Sequence, residues 1–147
     1  MNNLLLKNSG RTVSFKVFGS DKGIPTLFIN GAGMDGSLTF DEEALIEFDI
    51  KVYSIDRAGF GDSDSVKEKS FEQFNSDIKS LLSFLEIKKI NCIAFSQGAV
   101  FAYSLCENKL INKCAIVAGQ DDFNFKRTFI KLPNDIKEFI TSVKTNF

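Results

Sequence analysis

Residues 90–103 read INCIAFSQGAVFAY, and this stretch decides which fold the chain can adopt. Its first six residues are nearly all apolar, which is typical of a strand buried inside a sheet. Its last five residues suit a helix, and between the two segments lies Ser96, with the small residues Ala94 and Gly98 two positions to either side. Because only small side chains fit around so tight a turn, the stretch predicts a strand, a sharp turn that carries a serine, and then a helix.

This arrangement is the pattern of a nucleophile elbow, in which the turn lifts the hydroxyl of a serine clear of the sheet. Such a serine normally needs a neighbouring imidazole to take its proton. The chain contains no histidine. The pattern therefore indicates a type of site, whereas efficient turnover by this chain alone is not expected.

The composition fits one globular domain with a proper hydrophobic core, since the chain has 147 residues, 44% of them hydrophobic and 25% charged. The net charge is −1, and the arginines are confined to Arg11, Arg57 and Arg127. We therefore expect no binding of nucleic acid or of a membrane surface. No run approaches the roughly 18–20 apolar residues of a membrane span or the about 7–15 of a signal peptide, so a cytoplasmic location is expected.

The cysteines Cys92, Cys106 and Cys114 all lie within apolar stretches. They have neither the CxxC spacing of a metal or redox site nor an even count. We therefore expect all three to be buried and to act as small hydrophobic residues. The sequence predicts no metal site and no cofactor.

The alternation of strand-like and helix-like segments predicts the fold class. Residues 12–18 alternate apolar and polar side chains, as a half-buried antiparallel strand does, and a shorter strand around residues 4–6 is expected to pair with them. Apolar runs predict further strands at residues 25–30, 51–56, 90–95 and 113–119. Helices are predicted near residues 41–48, after Ser70, after Ser96, and after Asn134 as the N-cap. The prediction is an α/β fold, with a mostly parallel sheet, helices on both faces and an N-terminal antiparallel hairpin.

The helix after Ser70 is predicted in most detail. Ser70 and Gln73 have the spacing of a capping box. Behind them, apolar residues recur at steps of three and four, namely Phe71, Phe74, Ile78, Leu81, Leu82 and Leu85. Such a stripe predicts packing against the core and carries no function of its own.

A short glycine motif supports a different kind of site. Gly31, Gly33 and Gly36 have the spacing G-x-G-x-x-G after a predicted strand, and Asp56 ends the next strand. This is the pattern of a dinucleotide-binding module, in which the acidic residue binds a ribose. Binding of a nucleotide is therefore one of the hypotheses, although glycine-rich turns after strands are common.

Two further signals share the chain with these glycines: the segment DRAGFGDS at residues 56–63 and the elbow at Ser96. In this order and spacing, from about Thr12 to Gly119, they resemble the α/β-hydrolase superfamily. In that family an early hairpin leads to a strand that ends in His-Gly, and a D-x-x-G-x-G-x-S turn and the elbow follow. The resemblance implies that residues 1–119 are the N-terminal part of a hydrolase core, a truncated fold with about six of eight strands. It also implies that residues 120–147 open a lid or cap.

The same resemblance assigns roles to individual residues. Ser96 matches the nucleophile, and the backbone N–H groups of Ala32 and Gln97 match the two donors of the oxyanion hole. Asp121 or Asp122 matches the catalytic acid of those members that place it after the sixth strand. The residues of the turn, Asp56, Gly59, Gly61 and Ser63, are expected to be structural.

The chain departs from the family pattern in three places. Ala94 replaces the first glycine of the elbow, and Asn30 replaces the histidine of His-Gly. The third departure is the absence of any histidine, because the family's catalytic base is a histidine that follows the last strand.

Three hypotheses about function follow. The first is a serine hydrolase of the α/β-hydrolase type that acts on small esters or related acyl substrates and is poorly active as given. The second is a non-catalytic remnant that binds a ligand or partner through its phenylalanine-rich tail. The third is the dinucleotide-binding module. An uncharged sixth strand, left exposed at residues 114–118, would favour self-association.

Overall fold

The computed structural model describes residues 2–38, 40–120, 122 and 125–145 of the chain. The strands are β1 (Asn2–Asn8), β2 (Arg11–Gly19), β3 (Ile24–Ile29), β4 (Ile50–Asp56), β5 (Ile90–Phe95) and β6 (Ile111–Val117). The helices are α1 (Glu42–Glu47), α2 (Phe71–Phe84), α3 (Gly98–Glu107), α4 (Lys126–Lys131) and α5 (Asn134–Thr145). The strands form one sheet in the order β1-β2-β4-β3-β5-β6.

The sheet is antiparallel at one side and parallel over the rest. β2 is antiparallel to both β1 and β4, whereas β4, β3, β5 and β6 are parallel neighbours. The hairpin between β1 and β2 turns at Ser9 and Gly10, whose φ angles are +51° and +84°. Two such angles in succession are what a two-residue hairpin turn of type I′ needs. The predicted mostly parallel sheet with an N-terminal antiparallel hairpin is confirmed.

Helices cover both faces of the sheet. Neighbouring residues of a strand point to opposite sides, so one strand contributes side chains to the cores on both faces. Leu27 and Ile29 of β3 belong to a core that also contains residues of α2 and α3. Phe28, between them, packs on the other side with Leu45 of α1 and Val52 of β4. The apolar run in β3 is thus buried on both faces, as expected of an interior parallel strand.

The start of α2 confirms half of the predicted capping box. The Ser70 hydroxyl accepts a hydrogen bond from the backbone N–H of Gln73, at 3.1 Å. The side chain of Gln73 donates to Asp77 on the next turn of the helix. The Gln73 side chain therefore bonds within the helix and does not make the second hydrogen bond of a capping box, which would join it to the N–H of Ser70.

The apolar stripe of α2 packs against the core as predicted, except at its first residue. The buried members are Phe74, Ile78, Leu81 and Leu82. Phe71 is 45% exposed, and its ring packs against Phe101, with ring centroids 5.5 Å apart. The prediction that Phe71 lies in the core is wrong, because this residue contacts the neighbouring helix at the surface.

The expectation that all three cysteines are buried is also wrong. Cys92 is buried, but Cys106 and Cys114 are exposed. Cys114 lies in β6, where every residue after Ile111 is exposed, because β6 is an edge strand of the sheet. Cys106 follows the last buried position of α3, Leu105, and lies outside the buried stripe of that helix.

The segment after β6 contains two helices where the sequence predicted one. α4 has no buried residue. α5 begins at Asn134, and the carbonyl of Pro133 accepts the hydrogen bond from the N–H of Lys137, at 3.1 Å. Pro133, and not Asn134, therefore occupies the N-cap position. None of the described helices combines the length and the apolar character that crossing a bilayer requires.

Candidate active site

Ser96 lies in the turn between β5 and α3, in a conformation that non-glycine residues seldom adopt. Its φ angle is +51°, which costs about 1–3 kcal/mol and persists only where the surroundings hold it. Its N–H donates to the Val117 carbonyl at 3.0 Å, and its own carbonyl accepts from Ala99 and Gln120, each at 3.1 Å. The turn is therefore held both by the helix that follows it and by the end of β6.

Small residues on either side of Ser96 make this turn possible. Ala94 is fully buried in β5. A Cβ atom on Gly98 would lie 3.0 Å from the carbonyl oxygen of Asn30 and still closer to that of Ile29. Gly98 is thus required by the close approach of α3 to the end of β3, a reason that the sequence pattern implies but does not specify.

The loop after β3 lies directly against the serine. A Cβ atom on Gly31 would be 3.3 Å from the Cβ atom of Ser96. The loop is anchored by Asn30, which is fully buried and donates from Nδ2 to the Ile55 carbonyl at 3.0 Å. Asn30, which replaces the family's histidine, therefore ties the end of β3 to that of β4.

Arg57 joins the two segments that carry the candidate oxyanion donors. Its guanidinium donates to the Gly31 carbonyl at 2.6 Å and to Oε1 of Gln97 at 3.1 Å. The peptide bonds of the described residues are all trans, so the Gly31 carbonyl and the Ala32 N–H point in opposite directions. Arg57 thereby sets the direction of the Ala32 N–H. This role could not be predicted from the sequence, where its only signal is the place of Arg57 in the motif DRAGFGDS.

Both candidate donors are available. Within the described part of the chain, no acceptor is bonded to the backbone N–H of Ala32 or of Gln97. Gln97 is the N-cap of α3, so its N–H lies at the positive end of the helix dipole. The assignment of these two N–H groups to an oxyanion hole stays a prediction.

The base that a serine nucleophile needs is not among the described side chains. None of those described is hydrogen-bonded to Oγ of Ser96. Of the two acid candidates, Asp122 is exposed and Asp121 lies outside the described residues. Their assignment as the acid stays a prediction.

Asp56 is committed to structural contacts. It is fully buried, and its carboxylate accepts from the N–H of Gly36 at 2.6 Å and from that of Asp62 at 3.1 Å. Nζ of Lys16 lies 3.4 Å from the same carboxylate. Contacts with Asp62 and Asp56 outweigh burial and raise the pKa of Lys16 above its ordinary value. With its oxygens occupied, Asp56 is not placed to bind a ribose, which argues against the dinucleotide hypothesis.

A cavity of about 480 Å³ adjoins the elbow helix. Gln97 and Phe101 of α3, Phe74 of α2, and Arg57 and Phe60 of the preceding turn are among the residues that line it. Among the described residues, no group of three or more histidine, cysteine or acidic side chains is placed to hold a metal ion. The mostly apolar lining of this cavity suits a ligand with an apolar body.

Comparison with known proteins gives similarity of both sequence and fold. No family model matches the chain. The 3-oxoadipate enol-lactonase 1 of Acinetobacter baylyi is 21% identical over 155 residues, which cover 98% of this chain and 57% of the lactonase. The chain thus spans a little over half of that relative.

Solved structures with the same fold differ in their named activities. A bromoperoxidase from Bacillus anthracis has a TM-score of 0.67 and 26% identity, covering 80% of this chain and 45% of its own. An esterase from Exiguobacterium antarcticum has a TM-score of 0.69 and 18% identity, covering 80% and 46%. An epoxide hydrolase from Vigna radiata has a TM-score of 0.68 and 19% identity, covering 78% and 37%. Together with the six-stranded sheet and the turn at Ser96, these similarities show that the chain has the fold of the α/β-hydrolase superfamily.

Proposed function

We propose that this chain carries the nucleophile and the oxyanion hole of a serine hydrolase that acts on small esters or related acyl substrates. The observation that supports this most is the conformation of Ser96, whose φ of +51° is maintained beside the loop that contains Ala32. Other non-glycine residues of the chain share this conformation in ordinary turns, Ser9 among them; at Ser96 the strained residue is also a serine that lies against the loop after β3, and strained residues cluster at active sites. A turn with no catalytic role would be more stable with a glycine at this position.

In the proposed reaction, Oγ of Ser96 attacks the carbonyl carbon of the acyl group and gives up its proton to a base. The carbonyl oxygen becomes an oxyanion, which accepts hydrogen bonds from the N–H groups of Ala32 and Gln97. Each such donor lowers the barrier by about 3–4 kcal/mol in a well-studied protease. The base returns this proton to the leaving group as it departs, then takes a proton from the attacking water and passes it to Oγ as the acyl group leaves as an acid.

The base is proposed to come from sequence outside this chain, in the same protein or in a partner. The chain has no histidine, and it spans 57% of the lactonase that it resembles. Loss of the triad histidine costs about 10⁶-fold in one measured enzyme, and about 10³–10⁴-fold over water survives from the oxyanion hole and binding. We therefore expect this chain alone to react slowly at Ser96.

Intact-mass analysis after incubation with a fluorophosphonate tests the proposal. We expect stoichiometric labelling that is lost in Ser96→Ala and kept in Ser83→Ala, which removes an exposed serine of α2. No labelling of a folded sample, even after long incubation, would mean that Ser96 is not activated in this chain. Labelling that survives in Ser96→Ala would place the reactive group elsewhere.

A non-catalytic binding role is the second candidate, and the missing histidine favours it. In that case the elbow and the loop are a scaffold, and the cavity beside Phe101 binds a ligand that is not turned over. A chain that stays monodisperse and binds ligand, yet never labels with the fluorophosphonate, would support this alternative.

A further inference from the structure

Arg57 is a buried cation without a buried counter-charge. It is 7% exposed, and its guanidinium carbon lies 4.9 Å from the ring centre of Phe101 and 5.6 Å from that of Phe60. In the described part of the chain, no carboxylate forms an ion pair with it. Burial lowers the pKa of Arg57, which reflects how unfavourable the charge is in this place.

The hydrogen bonds of Arg57 are incomplete as well. An arginine side chain has five N–H donors, and here two bonds are made, to the Gly31 carbonyl and to Gln97. Nε is buried and has no acceptor among the described residues. A buried donor that lacks an acceptor is costly, and more so when the group is charged. The two bonds hold the guanidinium in place, and the second N–H of each of its Nη atoms remains for a further acceptor.

The cavity next to Arg57 has the lining that an apolar anion needs. Its walls include the aromatic side chains of Phe60, Phe74 and Phe101. Lys69 also lines it, with Nζ 5.0 Å from the ring centre of Phe60. Glu72 is the one acidic residue among the lining residues. Two cations against one carboxylate leave the lining with a net positive charge.

We propose that this cavity is a binding site for a carboxylate with an apolar body, and that Arg57 is the residue that recognises the carboxylate. A carboxylate has the planar shape and the acceptors that match a guanidinium fork. It would also supply the negative charge that Arg57 lacks, while its apolar part contacts the aromatic walls.

A carboxylate suits this lining better than a phosphate does. The lining offers a single excess positive charge and mostly aromatic walls, whereas phosphate carries more charge and is usually held by several cations or by backbone N–H groups. The site adjoins Gln97, one of the proposed oxyanion donors. If the proposed hydrolase function holds, the substrate carries a carboxylate away from its reacting carbonyl.

Titration followed by NMR with a matched pair of probes tests this site directly. Phenylacetate and phenylacetamide have nearly the same shape and differ in charge. We expect phenylacetate to bind at least about tenfold more tightly than the amide, because a charge-assisted bond to Arg57 is stronger than a neutral one. Arg57→Met should remove the preference, and Lys69→Met should weaken it.

Arg127→Met makes the same change at an exposed arginine of α4 and should leave the preference intact. Equal affinity for the two probes, or binding of neither, would overturn the proposal. So would an Arg57→Met variant that keeps the preference. If that variant does not fold, two other results test the site: the preference of Arg57→Lys for phenylacetate, and the positions of the backbone amides whose NMR signals shift when phenylacetate is added. Shifts confined to residues away from Gln97 and Phe101 would contradict the site.

The experiments can refute the carboxylate site and the hydrolase function independently of each other. Ser96→Ala should bind phenylacetate as the unchanged chain does, because the serine takes no part in the carboxylate contact. Binding without fluorophosphonate labelling would keep the site and remove the activity. Labelling without a preference for the carboxylate would do the reverse.

Discussion

Gly98 is the position at which one added atom should disturb the elbow most. A Cβ atom there would lie 2.3 Å from the carbonyl oxygen of Ile29 and 3.0 Å from that of Asn30. Both obstacles are backbone atoms at the end of an interior strand, so they cannot rotate away as a side chain can. A carbon–oxygen contact of about 3.3 Å would be restored only if α3 moved by roughly 1 Å.

The expected cost of Gly98→Ala combines two terms. Extra volume in a well-packed place costs about 1–3 kcal/mol, and we take the upper end because backbone must move. Alanine is the better helix former and offsets this by about 1 kcal/mol. The free energy of unfolding should therefore fall by about 2 kcal/mol.

Urea denaturation measures this change as a lower midpoint with an unchanged slope. Cys106→Ala places the same residue at an exposed position of α3 and should alter stability by less than about 0.5 kcal/mol. If Gly98→Ala is as stable as the unchanged chain or more stable, helix propensity outweighs the contact. The close approach of α3 to β3 would then be refuted.

Three further predictions concern other parts of the molecule. Asp56→Ala should lower the free energy of unfolding, measured by urea denaturation, by about 3 kcal/mol. The substitution breaks the buried ion pair with Lys16 and leaves the N–H groups of Gly36 and Asp62 without their acceptor. A loss below about 1 kcal/mol would contradict this. Burial raises the pKa of Tyr53, so above pH about 10 the unfolded chain loses a proton that the folded chain keeps, and stability falls. The drop in urea midpoint between about pH 9 and pH 11 should be smaller in Tyr53→Phe. The contact with Cys92 lowers the pKa of Cys114 to about 7, so iodoacetamide at neutral pH should alkylate Cys114 before Cys106. Peptide mass spectrometry should show this order, and Cys92→Ala should slow the alkylation of Cys114, because it removes the larger of the two contacts that lower the pKa of that thiol.

The elements that the sequence predicts well are those whose burial pattern is local. The apolar run of β3 and the stripe of α2 repeat with the periods of a strand and of a helix, so each can be recognised without its neighbours. The residues that were placed wrongly depend on neighbours distant in sequence. Cys114 is exposed because β6 is an edge strand; the apolar segment around it indicates burial, whereas the resemblance to a larger fold implied that this strand is left exposed.

At the elbow, sequence and structure contribute different facts. The small residues around Ser96 predict the turn, because only such side chains fit there. Position 98 must be a glycine because a Cβ atom there would clash with the carbonyl oxygen of Ile29. This clash depends on how closely α3 packs on β3, which only the tertiary structure shows.

By itself, the sequence determined an α/β fold with a serine on a sharp turn, since periodicity and residue size act over a few neighbouring positions. The tertiary structure alone decided the role of Arg57, which lies 26 positions from Gly31 and 40 from Gln97. Parallel strands bring their C-terminal ends to the same edge of the sheet, so residues far apart in the chain meet there. The buried charge of Arg57 joins two loops and faces a cavity only because these segments come together in the fold, and no single segment of the sequence predicts it.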